Sequence, residues 1–210
     1  MSHEKIKEEV IKVCRKMVDS GLVVAKQGNI SVKISDNKII VTPSKLSYER
    51  MTVSDLLILD IDGSLIEGIR KPSKETPMHL AIYKARNDVR AIIHTHSPYA
   101  TAISALHETI PVFLEEQVPY LGGEISTAEY APSGTKELAN NVVNALGSKN
   151  ATLLANHGVV ACGANLEQAY KNAQLVERIA QIYVISRGLG KIWLIPEKFI
   201  LQQKLDYQKK

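Results

Sequence analysis

One stretch near the middle of the chain, TPMHLAIYKARNDVRAIIHTHSPYATAIS, limits the possible folds more than any other. Thr76-Pro77 supplies an N-cap hydroxyl and a proline at the first helical position, which predicts a helix running to about Arg86. The strand VRAIIHTH follows at once, and Ser97-Pro98 repeats the cap-plus-proline device to start a short helix through Leu106. Ile92 and Ile93 are both apolar, and adjacent strand side chains leave opposite faces, so this strand is buried. A buried strand between two helices belongs inside a layered α/β fold.

The flanking sequence extends that pattern. From Glu4 to Ser20 the apolar positions Ile6, Val10, Ile11, Cys14, Met17 and Val18 recur at three-to-four spacing, and Gly21 stands where a C-terminal cap belongs, so a helix is expected. NISVKIS and KIIVTP, alternating and β-branched, are separated by the turn pair Asp36-Asn37 and read as a hairpin. LLILD and SLIEG, joined across Asp62-Gly63, read as a second hairpin in the same antiparallel sheet. Further on, 135–146 is expected to be a helix, TLLANHG and VVACG two strands split at His157-Gly158, and 166–187 the longest amphipathic helix. A last helix follows Pro196. Between Ile110 and Ser133 the periodicity is weak, which predicts a loop with one strand around Val112 to Leu114. No repeat, low-complexity tract or linker divides the 210 residues. Residues 1–210 therefore read as a single α/β domain with a central, mainly antiparallel sheet layered with helices, long enough to build a core without staples.

Charge and composition exclude other classes. Lys plus Arg is 26 against 22 Asp plus Glu, and the surplus is spread along the chain apart from a basic tip, Lys209-Lys210. That distribution is too diffuse for a nucleic-acid footprint, and aromatic residues total only 5%, too few to form stacking platforms for bases. The opening MSHEKIKEEVIKVCRKM interleaves acid, base and apolar residues, so no secretory signal is expected. No run of about 18 apolar residues appears, which predicts no membrane span. Cys14 and Cys162 have no C-x-x-C partner and form no disulfide framework, so a reducing cytoplasm is expected.

Four histidines carry candidate chemistry. His94 and His96 stand at i and i+2 at the end of a buried strand, so both imidazoles leave the same face of the sheet. Such a pair with a third histidine is a common way to hold zinc or a similar divalent metal while leaving a position open; the alternative is a pair of surface or cap histidines. His157 ends the strand TLLAN before Gly158, which permits a tight turn and close approach to a ligand, and is the candidate third donor. Glu75 lies at a helix front, where amides and macrodipole favour a carboxylate; it is either a fourth member of the set or a helix-start acid with no other task. His79, one turn on, reads as a structural helix histidine.

A second constellation suits an anion. Gly28-Asn29 opens a strand, Thr42-Pro43-Ser44-Lys45 closes its hairpin partner, and Ser73-Lys74 precedes the helix at Thr76. Small hydroxyls, backbone donors and lysines at element ends are the groups that cradle phosphate, although each segment alone is also ordinary turn chemistry.

The strings GNIS, VTPS, GIRKPSKET, IIHTHSPYATAIS and LLANHGVVACGANLEQAY, in that order and spacing, resemble the class II aldolase and adducin family, and within it the L-fuculose-1-phosphate aldolases, over about residues 4–187. The resemblance implies a three-layer α/β/α fold with a mostly antiparallel nine-stranded sheet and a homotetramer with active sites at subunit interfaces. It also implies one zinc per subunit held by Glu75, His94, His96 and His157, with Glu75 doubling as acid/base. Phosphate of a sugar phosphate would fall on Gly28, Asn29, Ser44, Lys45, Ser73 and Lys74. The reaction implied is reversible cleavage of L-fuculose 1-phosphate to dihydroxyacetone phosphate and L-lactaldehyde.

Three departures qualify the likeness. Lys74 stands where such aldolases usually show a second serine, and Lys45 where they show a glycine, which adds positive charge to the anion site. A tyrosine they carry shortly after the Ile110-Pro111 segment is replaced by Glu115, and Tyr207 resembles a tail tyrosine that reaches a neighbour's site. Alternatives within the same resemblance are a pentulose-5-phosphate 4-epimerase of the L-ribulose type, which usually carries aspartate at position 75, and a methylthioribulose-1-phosphate dehydratase. A non-catalytic, adducin-like scaffold would be expected to have lost the donors that this chain retains.

Overall fold

Alternation of apolar side chains along the strands divides the molecule into layers. In the computed structural model, which describes residues 2–208, eight strands form one sheet: β1 (Asn29–Ser35), β2 (Lys38–Val41), β3 (Leu57–Asp60), β4 (Leu65–Glu67), β5 (Ala91–Thr95), β6 (Thr127–Ala128), β7 (Ala151–Leu154) and β8 (Gly158–Gly163). Their order is β4-β3-β2-β1-β5-β8-β7-β6, antiparallel throughout except for the parallel β6–β7 pair. The helices are α1 (His3–Asp19), α2 (Thr76–Ala85), α3 (Pro98–Ser104), α4 (Lys136–Leu146), α5 (Leu166–Leu189) and α6 (Glu197–Tyr207). The expected basic tip Lys209-Lys210 lies outside the described residues.

Ile30, Ile40, Ile58, Ile93, Val159 and Ala161 pack on one face against Met17 of α1, Ile103 of α3 and Val176 of α5. Their strand neighbours Ile39, Leu59, Ile92, Val160 and Cys162 pack on the other against Met78 and Ile82 of α2 and Val142 of α4. This is the three-layer α/β/α architecture, and both hairpins form as their turn residues predict.

Two expectations need correction. The sheet has eight strands among the described residues, not nine. No strand forms at Val112–Leu114, because the Gln117 side chain accepts from the Phe113 and Leu114 amides and donates to the Pro111 carbonyl. Those backbone groups are thus satisfied by a side chain instead of a ladder. The segment instead contains a single bridge between Ile110 and Ile125, a π-helical turn at Gln117–Leu121 and the short strand β6.

Candidate metal centre

Sheet register brings the donors together. Asn29 of β1 lies directly opposite His94 of β5, so the two side chains leave the same face, toward α2. His94 is also opposite Val160 of β8, and the tight β7–β8 turn that leads into β8 carries His157. In that turn Asn156 takes a left-handed backbone (φ 57°) and the His157 amide donates to the Leu154 carbonyl at 3.0 Å. Gly158 then passes so close to β5 that a Cβ there would collide with the Thr95 carbonyl oxygen, which is why only glycine fits. Gly28 is under the same constraint from the other side: its φ is +73°, and a Cβ would fall 2.5 Å from the His94 carbonyl oxygen.

Glu75 is the N-cap residue of α2 and is buried, 7% exposed. Its Oε2 accepts from Asn29 Nδ2 at 2.8 Å and lies 3.1 Å from His94 Nε2; its Oε1 accepts from Ser133 Oγ at 3.2 Å and lies 3.1 Å from His157 Nε2. The rings of His94, His96 and His157 form a triangle with centroids 4.7, 4.8 and 4.9 Å apart. One donor atom from each of the four residues lies within 4.8 Å of the others. The His94 Nδ1–H donates to the Val159 carbonyl at 2.8 Å, which fixes the ring with Nε2 turned inward toward Glu75.

Electrostatics follow from this crowding. Burial pushes the Glu75 pKa up, but His94 and His157 beside it, with the hydrogen bonds from His94 and Asn29, outweigh burial and hold it well below the usual carboxylate range. Burial lowers the pKa of His94, and the Glu75 carboxylate more than reverses this. His96 is pushed down to about 3 by burial and then by His94 and His157, and His157 is lowered by burial and then by His94. His96 and His157, held toward the neutral form, and His94 Nε2 against one ionised carboxylate make a donor set suited to a divalent cation of the zinc type.

The anion segments also meet. The Thr42 amide donates to the Ile30 carbonyl at 3.0 Å and the Ser73 amide to the Thr42 carbonyl at 3.2 Å, while Ser44 pairs with Lys71 and Pro43 bridges Pro72. Gly28-Asn29, Thr42–Lys45 and Ser73-Lys74 therefore lie side by side next to Glu75. One N–H of the Asn29 side-chain amide is committed to Glu75, which leaves its second N–H for a ligand, and its Oδ1 is buried without a partner. Ser44 and Ser73 are half-buried, and Lys45 and Lys74 are exposed. Lys45 holds φ +63°, the left-handed region that favours glycine and costs other residues roughly 1–2 kcal/mol.

Other candidates lie elsewhere. His79 is fully buried, bonds Ser31 Oγ through Nδ1 at 2.7 Å and stays out of the donor cluster, as expected of a structural histidine. Tyr207 packs over Gly122, where a Cβ would touch its ring, and lines a cavity of about 540 Å³ with Arg86, Asp88 and Asn150. That cavity also touches Val89 and Gly163, at the end of β5 opposite the histidines. Burial pushes the Tyr207 hydroxyl up to about 12. Glu115 is exposed. Ser133 was not among the residues read from the sequence; its Pro-Ser-Gly context signals only a turn, and 58 residues separate it from its partner Glu75.

The family model described as Class II Aldolase and Adducin N-terminal domain matches residues 8–184. The chain belongs to the class II aldolase and adducin family. It is 38% identical over 195 residues to 5-deoxy-D-ribulose 1-phosphate aldolase of Bacillus thuringiensis serovar kurstaki, covering 92% of this chain and 91% of that protein. It is equally, 38%, identical over 189 residues to L-fuculose phosphate aldolase of Escherichia coli K12, covering 90% and 87%. A solved L-fuculose 1-phosphate aldolase superposes with a TM-score of 0.94 at 35% identity, covering 99% of this chain and 98% of that one.

Proposed function

We propose that this protein is a zinc-dependent aldolase that cleaves L-fuculose 1-phosphate to dihydroxyacetone phosphate and L-lactaldehyde, and runs the reverse condensation. The observation that carries this reading is the convergence of Glu75, His94, His96 and His157 beside three segments suited to a phosphate. Breaking a carbon–carbon bond next to a ketone leaves an electron pair on the ketone fragment, and a bound divalent cation supplies the positive charge that stabilises it. Glu75 moves the proton. Asn29 donates to its Oε2 at 2.8 Å, which makes that oxygen the less basic; Oε1, facing a Ser133 hydroxyl that can rotate from donor to acceptor, takes and returns the proton. Asn29, Ser44 and Ser73, with Lys45 and Lys74 at the rim, hold the phosphate and so present the bond to be cleaved.

The relatives differ in the sugar they are named for, and 5-deoxy-D-ribulose 1-phosphate is the second substrate to weigh: it too is a ketose 1-phosphate, and its relative matches this chain equally well. Two further assignments belong to the same reading. The exposed apolar side chains Leu189, Trp193, Leu194, Phe199 and Leu205 suit burial against further copies in a homotetramer. Cys14 and Cys162, both buried free thiols, suit the cytoplasm.

The deciding experiment combines zinc content with product analysis over a panel of ketose 1-phosphates and their unphosphorylated sugars. About one zinc per chain and preferred cleavage of L-fuculose 1-phosphate are expected. Full activity after chelation, or equal cleavage of free L-fuculose, overturns the reading.

A further inference from the structure

Each histidine of the cluster needs something to fix its ring. For His94 it is the Val159 carbonyl on Nδ1. For His157 it is the tight turn, held by the Asn156 amide donating to the Ser104 carbonyl at 3.1 Å and by the bond of its own amide to Leu154. His96 lies one residue beyond β5, and among the described residues no hydrogen bond holds its Nδ1. Its orientation depends on the backbone turn His96-Ser97-Pro98 that leads into α3.

That turn is anchored from a distant part of the chain. Ser97 is the N-cap residue of α3, and an N-cap serine ordinarily accepts from the second or third helical amide. Here its side chain caps nothing: Ser97 is fully buried and its Oγ has no partner. Glu177 on α5 takes both amides instead, Oε1 from Tyr99 and Oε2 from Ala100, each at 2.9 Å. A carboxylate accepting two backbone N–H groups is a stronger and more directional anchor than a neutral hydroxyl. It clamps the start of α3, and with it the turn that carries His96, to the longest helix of the molecule.

We propose that Glu177 is a positioning residue for the metal centre, setting the ring of His96 through the α3 N-terminus. The proposal rests on the metal-site reading above, and its test separates the two. Zn²⁺ affinity is measured at 25 °C by competition with a chromophoric chelator, alongside thermal melting of the metal-free protein, for wild type, Glu177→Gln and Glu177→Ala. Glu167→Gln, at an exposed ion pair with Lys171 on the same helix, is the control. Roughly three- to tenfold weaker zinc binding is expected at Glu177, below or at the lower end of what loss of a direct partner of a metal ligand causes, with no change in the control. Glu177→Gln, which keeps the length and one acceptor oxygen, should fall between wild type and Glu177→Ala. A lowered melting temperature with zinc affinity within twofold of wild type makes Glu177 a stability residue only and overturns the proposal. If Glu177→Ala does not fold, Glu177→Gln decides by the same criterion. Absence of zinc binding by wild type would instead defeat the metal-site reading.

Discussion

The two faces of the sheet are built from the same strands and do different work. Toward α1, α3 and α5 the strands present Ile30, Ile93 and Val159, a continuous apolar surface. Toward α2 and α4 that surface is interrupted where β1 and β5 meet the start of α2. There Asn29, Ser31 and His94 face Glu75, His79 and Tyr83, and buried hydrogen bonds replace methyl contacts. The apolar face supplies stability that is indifferent to direction. The polar seam supplies geometry, since a buried polar group is tolerated only when its partners are correctly placed.

The largest effect expected from this contrast is on turnover. Glu75→Gln keeps the shape of the helix start but cannot accept a proton at neutral pH, so kcat should fall by roughly 10²–10⁴-fold while the protein remains folded. Near-normal kcat would leave Glu75 as a helix-start residue. On the opposite face, Ile93→Ala should cost about 2–5 kcal/mol in urea unfolding and leave zinc stoichiometry unchanged in the folded fraction. Loss of zinc sites from folded Ile93→Ala would show that the two faces are not independent.

Asn29→Ala sharpens the division within the polar seam. If Asn29 holds phosphate, KM for the phosphorylated ketose should rise about tenfold, or about 1.4 kcal/mol. A fall in kcat with unaltered KM would mean that its bond to Glu75 Oε2 is its main task. The last effect concerns pH and a single buried group. Burial holds His79 at a pKa of about 3, whereas the unfolded chain takes up that proton near 6.5. Between those values the unfolded state binds more protons, so stability falls as pH falls, by up to about 1.4 kcal/mol per pH unit from this group. Denaturant midpoints from pH 7 to 4 should show a shallower slope in His79→Gln than in wild type. Equal slopes would refute the assignment of a neutral buried imidazole.

Much of this was legible in the sequence because it is local. The Thr76-Pro77 and Ser97-Pro98 starts, the turn pairs Asp36-Asn37 and Asp62-Gly63, and the period of α1 and α5 each depend on neighbours within a few residues. The donors His94 and His96 were readable because strand period puts i and i+2 on one face, His157 and Glu75 were candidates from their strand-end and helix-front positions, and the family likeness joined the four into one set. What could not be read depends on long-range partners. β6 exists only because Ser126 and Ala128 bond β7, and Gln117 ends the possibility of a strand through side-chain bonds that no local pattern announces. Ser133 and Glu177 act through contacts 58 and 77–78 residues away in sequence.

The pairing of Asn29 with His94, and of His94 with Val160, has a practical consequence for anyone refolding this chain. A slip of one residue in β5 would turn His94 toward α5 and bring Ile93 to the polar side, yet helix and sheet content would hardly change. Circular dichroism would pass such a product as native. On the proposed zinc reading, titration of the metal site would not, so the four-donor cluster would serve as a gauge of strand alignment, counting correctly threaded molecules one by one.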